Sequence, residues 1–210
     1  ADANASDDAS SEIAVASGTY DTLEDGEIDF TTDDLTLTGA QAGTAAADRL
    51  DGDDPDGDIS ETTIGVSLNI TGVSDVTVDG VLVENDSDPA VALGNQGSAS
   101  TTSPTFTNSI VDYSGTTNAT ELGPGGPAPT GTFTNNVVIA NQTEQFEADE
   151  VGLNVNNTIA DASNLAISDN LFIGFETQVD LNPNVEVQPV LDAHDTQFDD
   201  ERAQSAVPIN

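Results

Sequence analysis

The chain has no cysteine, methionine, tryptophan or lysine. Its 210 residues carry only two basic side chains, Arg49 and Arg202, and a single histidine, His194. Aromatic residues make up 4%. Each shortage removes a class of function. Without cysteine there are no disulfides, thiolate metal sites or cysteine nucleophiles. Binding phosphate backbones needs clustered Lys and Arg, so nucleic acid is not an expected partner. Anionic lipid surfaces are not expected partners, on the same ground. No run approaches the ~18–20 apolar residues that cross a bilayer, so no membrane insertion is expected.

What is present is acid. Thirty-nine Asp and Glu give a formal net charge of -37. A folded domain so charged repels itself in dilute buffer. Near 1 M salt the Debye length falls to roughly 3 Å and the repulsion is screened. The composition predicts a protein of an extreme halophile, a haloarchaeon. Acidic chains are often disordered, but 36% hydrophobic residues distributed as short Val/Ile/Leu/Phe runs predict a packed core.

Those runs are β-branched and bounded by Gly, Asn, Asp and Pro clusters. They place strands at Ile13–Val15, Ile28–Phe30, Leu35–Thr38, Val66–Ile70, Val76–Val78, Val81–Val83, Phe106–Thr107, Ile110–Val111, Phe133–Thr134, Val137–Ile139, Leu165–Ile167, Leu171–Ile173 and Val185–Val187. Only Thr44–Leu50, with its alanine run, reads as a short helix, so the class is all-β.

A repeat emerges from VTVDGVLVEN (76–85), TFTNSIVDY (105–113), TFTNNVVIAN (132–141) and LAISDNLFIGF (165–175). Each is a strand, a polar Asp/Asn-containing corner, then a second strand. Aligning Val81, Ile110, Val137 and Leu171 gives steps of 29, 27 and 34 residues. An earlier copy, LTLTGAQAG (35–43), lies 41 residues upstream if Gly39 matches Gly80. Constant corners with variable loops suit stacked solenoid coils, each burying its apolar face on its neighbours. A β-sandwich or jelly roll, with the same units as hairpins, is the alternative.

The stretch SGTYDTLEDGEIDFTTDDLTLTGAQAGT (17–44), followed by SLNITGVSDVTVDGVLVEN (67–85), resembles the opening coils of right-handed parallel β-helix proteins of the pectate-lyase-like superfamily. The resemblance covers residues 12–85 and reaches later coils through the repeated corner. It implies a right-handed parallel β-helix of about five irregular coils. The expected organisation is an N-terminal polar arm over 1–11, one β-helix domain over 12–190 and a C-terminal tail over 191–210. Leu37, Val78, Val81, Val83, Ile110, Val137, Ile139, Ile167, Leu171 and Ile173 are expected in the core.

The resemblance brings catalysis into question, since the superfamily includes polysaccharide lyases, hydrolases and esterases. Its lyases generally hold Ca²⁺ on carboxylates beside an Arg or Lys base, and its hydrolases pair aspartates with His and Lys. This chain offers Arg49 in a loop, Arg202 near the tail and His194 after the last strong strand. No enzyme is expected. The densest acidic run, LDGDDPDGDISE (50–61), sets Asp51, Asp53, Asp54, Asp56 and Asp58 in one Gly/Pro-kinked loop. Hard oxygen donors of this kind suit Ca²⁺, although the register is not that of an EF-hand.

Six Asn-x-Ser/Thr sequons, at Asn4, Asn69, Asn85, Asn118, Asn141 and Asn156, predict N-linked glycans and an extracellular or cell-surface location. Asn85 and Asn118 are the strongest, each read as lying at or in a loop. The opening Ala1-Asp2-Ala3 fits a mature chain after signal removal. The stretches 94–104 and 114–131 are read as long polar loops. Near the two ends, Ile13 and Val15 in EIAVA and Val185 and Val187 in VEVQPV each supply a candidate edge strand. The functional expectation is a subunit of an extracellular filament, pilus-like fibre or sheath that binds copies of itself end to end. A carbohydrate-binding or carbohydrate-active β-helix is the first alternative and a viral spike the second.

Overall fold

Short strands broken by polar corners wind into a parallel β-helix in the computed structural model. It describes residues 11–21, 26–52, 54–94, 102–123, 130–140, 150–155 and 165–181, with backbone alone at 54, 190–191 and 197–198. The first turn is β1 (Ser11–Ala14), β2 (Gly18–Tyr20) and β3 (Glu27–Asp29). The second opens with β4 (Leu35–Thr38) and leaves the coil through a 3-10 helix at Ala46–Arg49 and a small antiparallel pair, β5 (Leu50–Asp51) and β6 (Asp54–Pro55). It resumes with β7 (Thr62–Ile64) and β8 (Ser67–Thr71).

The next turns follow without excursions among the described residues. They are β9 (Thr77–Asp79), β10 (Leu82–Asn85) and β11 (Val91–Gly94), then β12 (Thr105–Thr107), β13 (Ile110–Tyr113) and β14 (Asn118–Leu122). β15 (Gly131–Thr134), β16 (Val137–Ala140) and β17 (Val151–Val155) precede β18 (Leu165–Ser168), β19 (Leu171–Ile173) and β20 (Thr177–Leu181). β21 (Val190–Leu191) and β22 (Gln197–Phe198) begin a further turn.

Every third strand stacks on the one before it, always parallel, in three sheets ordered β1-β4-β9-β12-β15-β18-β21, β2-β7-β10-β13-β16-β19-β22 and β3-β8-β11-β14-β17-β20. The described residues thus form six full turns and two strands of a seventh, more than the expected five. The extra turns lie at the ends, where the repeated corner is absent from the sequence.

Corner chemistry sets the coil. The residue between the first and second strands of a turn is left-handed in four successive copies, with φ of 73° at Gly80, 49° at Asn108, 56° at Asn135 and 55° at Asp169. Asn and Asp tolerate that conformation better than other side chains. Gly80 departs from Asn because the chain at 41–42 lies on it; a Cβ there would stand 2.1 Å from the Ala42 nitrogen. Glycine is the residue that fits both demands.

The next position carries a buried ladder. Asn136 accepts the Ser109 N–H on Oδ1 at 3.0 Å and donates from Nδ2 to the Phe106 carbonyl at 3.0 Å. Asn170 repeats the pattern one turn on, accepting the Asn136 N–H at 3.0 Å and donating to the Phe133 carbonyl at 2.9 Å. Ser109 does the same in shortened form toward the Val81 N–H at 3.3 Å. Each side chain satisfies backbone groups the bend leaves without a sheet partner.

This register corrects the sequence alignment by one residue. Leu82, not Val81, pairs with Ile110, so the first step is 28 and Val81 occupies the ladder position. The 41-residue step holds, since Thr38 pairs with Asp79 and the Gly39 N–H bonds the Asp79 carbonyl. The stretch 114–131 is not all loop, because β14 runs through it.

Inward-facing residues stack in columns: Leu37, Val78, Phe106, Phe133 and Ile167 in the first sheet, and Val83, Val111, Val138 and Phe172 in the second. The rings of Phe106 and Phe133 lie stacked at 5.7 Å. The third sheet contributes Leu68, Val91, Thr120, Leu153 and Val179. Nine of the ten expected core residues are buried and Leu171 is partly buried; it packs with Ile110, Val137, Ile139 and Ile173 in a separate cluster that includes Ala46 and Leu82.

Candidate functional site

Two features stand out against this regular stack, an open first turn and a buried cation. Among the described residues, the first turn presents β1, β2 and β3 as the outer strands of all three sheets. The Ser11 and Val15 N–H groups donate inward to the Asp34 and Thr38 carbonyls of the second turn. Alternate N–H groups of a strand face opposite neighbours. The donors of Glu12 and Ala14 therefore face away from the stack. By the same alternation Thr19 in β2, and Glu27 and Asp29 in β3, face outward, since Gly18 and Phe30 donate to Glu61 and Asn69.

Ile13, Val15 and Ile28 pack on the core from this turn but remain partly exposed. Tyr20 stands beside them at 43% exposure, its hydroxyl donating to the Ala16 carbonyl at 3.1 Å. Of the four residues expected to mediate assembly, Ile13 and Val15 are thus at a sheet edge. Val185 and Val187 lie outside the described residues.

The second feature is the excursion between β4 and β7. Arg49, expected in a loop, is at the end of the 3-10 helix and is completely buried. Its Nη1 donates to Glu61 Oε2 at 2.8 Å and its Nη2 to the Asn108 carbonyl at 2.8 Å. Asp79 completes the group, accepting Asn108 Nδ2 at 2.8 Å and the Gly43 N–H at 3.1 Å on one oxygen. One turn further on, the Ala46 N–H bonds the Asn135 carbonyl at 3.1 Å. The excursion therefore straps the second turn to the left-handed corners of the fourth and fifth. Arg49 Nε and Glu61 Oε1 are buried without hydrogen-bond partners.

Burial pulls the Arg49 guanidinium down, against the attraction of Glu61 and Asp79. Burial also pushes the Glu61 carboxyl above the usual range, against the attraction of Arg49. A raised folded-state value means the folded chain holds this proton more tightly than the unfolded chain does. Glu61's contribution to stability should then fall as pH rises from the ordinary glutamate value, roughly 4.3, through the raised one. Below that window the group contributes no pH dependence. Melting midpoints in molar salt, compared between wild type and Glu61→Gln, isolate it; a difference flat with pH would contradict the assignment.

Of the aspartates read as a Ca²⁺ loop, the side chains of Asp51, Asp56 and Asp58 are described. Asp51 is exposed in β5, and Asp56 accepts the Asp58 N–H on Oδ1 at 2.9 Å in a local turn. Asp53 and the Asp54 side chain lie outside the described residues. Among the described residues, no three Asp, Glu or His side chains form a group that could hold a metal ion. His194 and Arg202 also lie outside them. Among the described residues the one cation, Arg49, is committed inside the fold rather than presented to a substrate.

The sequons differ in how the fold uses them. Asn69 lies in β8, donating to Asp29 Oδ1 at 2.6 Å and accepting the Thr71 hydroxyl at 2.7 Å. Asn85 ends β10 and accepts the Ser87 N–H. Asn118, expected in a loop, is the first residue of β14 and is partly exposed. Asn4, Asn141 and Asn156 lie outside the described residues. The buried Arg49 and the later third-sheet strands, β11, β14, β17 and β20, were missed from sequence. The signal available for Arg49 was rarity, as one of two basic residues in a chain otherwise stripped of cations.

No protein-family model, curated protein or solved structure matches the chain. No helix of the described residues is long and apolar enough to cross a membrane.

Proposed function

We propose that the chain is a structural subunit of an extracellular filament or sheath of a halophile, built by end-to-end stacking of β-helices. The observation that carries this reading is the first turn, left open among the described residues, where three parallel strands direct backbone donors away from the stack beside partly exposed Ile13, Val15 and Ile28. Unpaired strand edges template the addition of another chain. A second copy adding β21 and β22 of its last turn here would continue the first two sheets in the same direction. The two ends differ, so the contact is heterologous and propagates as an open fibre unless the rotation closes. With -37 charges per subunit, association requires molar salt.

The carbohydrate alternative has less support. Phe30, Phe106, Tyr113, Phe133, Phe172 and Phe175 are all buried, leaving Tyr20 as the exposed large aromatic among the described residues.

Ala14→Pro tests the edge directly. It removes a donor facing away from β4 and leaves the β1–β4 bonds in place, a position where proline is tolerated in a sheet. In molar salt the variant should keep the wild-type melting temperature and sediment as a monomer while the wild type sediments as polymer. Undiminished polymer from both Ala14→Pro and Glu12→Pro would sink the proposal that this edge is the junction.

A further inference from the structure

We propose that Asn118 carries an N-linked glycan, attached before the chain folds. The inference is independent of self-assembly and starts from Thr120. In the third sheet Thr120 is in register with Val91 before it and Leu153 after it, in a column that continues to Leu68 and Val179. It is completely buried, and its hydroxyl has no hydrogen-bond partner. Valine has nearly the same shape and would fill the site without desolvating a hydroxyl.

Four other buried polar side chains in this coil are used. Thr62 accepts the Ala40 N–H at 2.9 Å and its hydroxyl lies 3.1 Å from the Val15 and Ala16 carbonyls. Ser109, Asn136 and Asn170 form the corner ladder. Thr102 shares the lack of a partner, but it adjoins residues outside the description, whereas Thr120 is flanked by described strand on both sides. The fold therefore gives no reason for a hydroxyl at 120.

The sequence gives one. Asn118-Ala119-Thr120 is a sequon, and the hydroxyl two residues after Asn is what marks the acceptor. Asn118 is partly exposed, follows the exposed Thr116 and Thr117, and makes no side-chain hydrogen bond with the described residues. The Asn69 sequon contrasts, because the fold employs both its Asn and its Thr. At 118–120 neither polar group serves the folded state.

Burial also fixes the order of events. The transferase must read the Thr120 hydroxyl, so transfer precedes closure of β14 between β11 and β17. The donor is a lipid-phosphate-linked sugar supplied with the transferase. The Asn118 Nδ2 bonds the anomeric carbon as the carbon–phosphate oxygen bond breaks. The lipid phosphate leaves with the electron pair, and the Nδ2 proton passes to a base of the transferase.

The test is peptide mapping and intact mass of the protein secreted from a host shown to glycosylate a co-expressed sequon reporter. Modification at Asn118 and a mass above 21.5 kDa are expected. Asn118→Gln and Thr120→Val should both abolish the modification at 118, and Thr120→Ser should retain it. Made without glycan, Thr120→Val should melt above the unmodified wild type, showing that its loss of glycan is not a loss of fold. Offered to purified transferase with its lipid-linked donor, the unfolded chain should be modified at 118 and the refolded chain at least tenfold less. An unmodified Asn118 in the secreted protein overturns the site, and equal modification of folded and unfolded chains overturns the order.

Discussion

Arg49→Met should cost about 3–5 kcal/mol of folding stability, the range for removing one partner of a buried ion pair. The methionine fills much of the same volume, so the loss is not mainly a cavity. It leaves the nearly buried Glu61 carboxylate without its counter-charge and the Asn108 carbonyl without its donor. Because the pair is shielded from solvent, the loss should persist at molar salt, where exposed ion pairs contribute little. Pairing it with Glu61→Leu should recover much of the loss, since a buried pair replaced by apolar groups is often nearly neutral. Denaturant unfolding at fixed high salt measures both. A single-variant loss under 1 kcal/mol would mean that the strap is not stapled by this pair.

Asn136→Leu should be comparably damaging, at roughly 2–5 kcal/mol, for a different reason. The side chain is 1% exposed and serves two backbone groups at once, the Ser109 N–H and the Phe106 carbonyl. Each buried polar group left without a partner costs about 1–3 kcal/mol. Leucine keeps the bulk and removes both bonds. The neighbouring Asn170 should behave alike, while the exposed Asp169 beside it should tolerate asparagine, which also accepts a left-handed backbone. A stability change below 1 kcal/mol for Asn136→Leu would show that the ladder merely accompanies the corner.

From the third turn to the sixth the strands of the first two sheets were legible because they flank the left-handed corner, whereas β2 and β7 were not read as strands. Gly80-Val81, Asn108-Ser109, Asn135-Asn136 and Asp169-Asn170 mark the same bend in four turns, and apolar residues stand on both sides of it. The one-residue slip at Val81 arose because hydrophobicity alone cannot tell a ladder position filled by valine from the strand that follows. The later strands of the third sheet were hidden. Val91–Gly94, Asn118–Leu122, Val151–Val155 and Thr177–Leu181 each offer only two or three inward positions, interleaved with Ala, Asn, Glu or Asp. They follow connections of variable length, so no repeat step announces them. Parallel register against neighbouring turns, and not local propensity, makes them strands.

Arg49 was misread for a related reason. An arginine between Asp48 and Leu50, ahead of a run of aspartates, has the local signature of a solvated loop. Its burial depends on Glu61 and on the Asn108 corner two turns away, partners that only the coil brings together. The open edge was legible in part. Ile13 and Val15 were recognisable as strand residues, but which N–H groups face outward follows from the register with Leu35–Thr38.

Electron microscopy of the protein across a salt series tests end-to-end stacking most directly. Six full turns and part of a seventh, at a strand spacing of roughly 4.8 Å, give an axial rise of about 29–34 Å per subunit. In molar salt the proposal expects unbranched fibres with that subunit repeat, dispersing to monomers in dilute buffer. Monomers at every salt concentration, or polymers whose strands run along the fibre axis instead of across it, would contradict it.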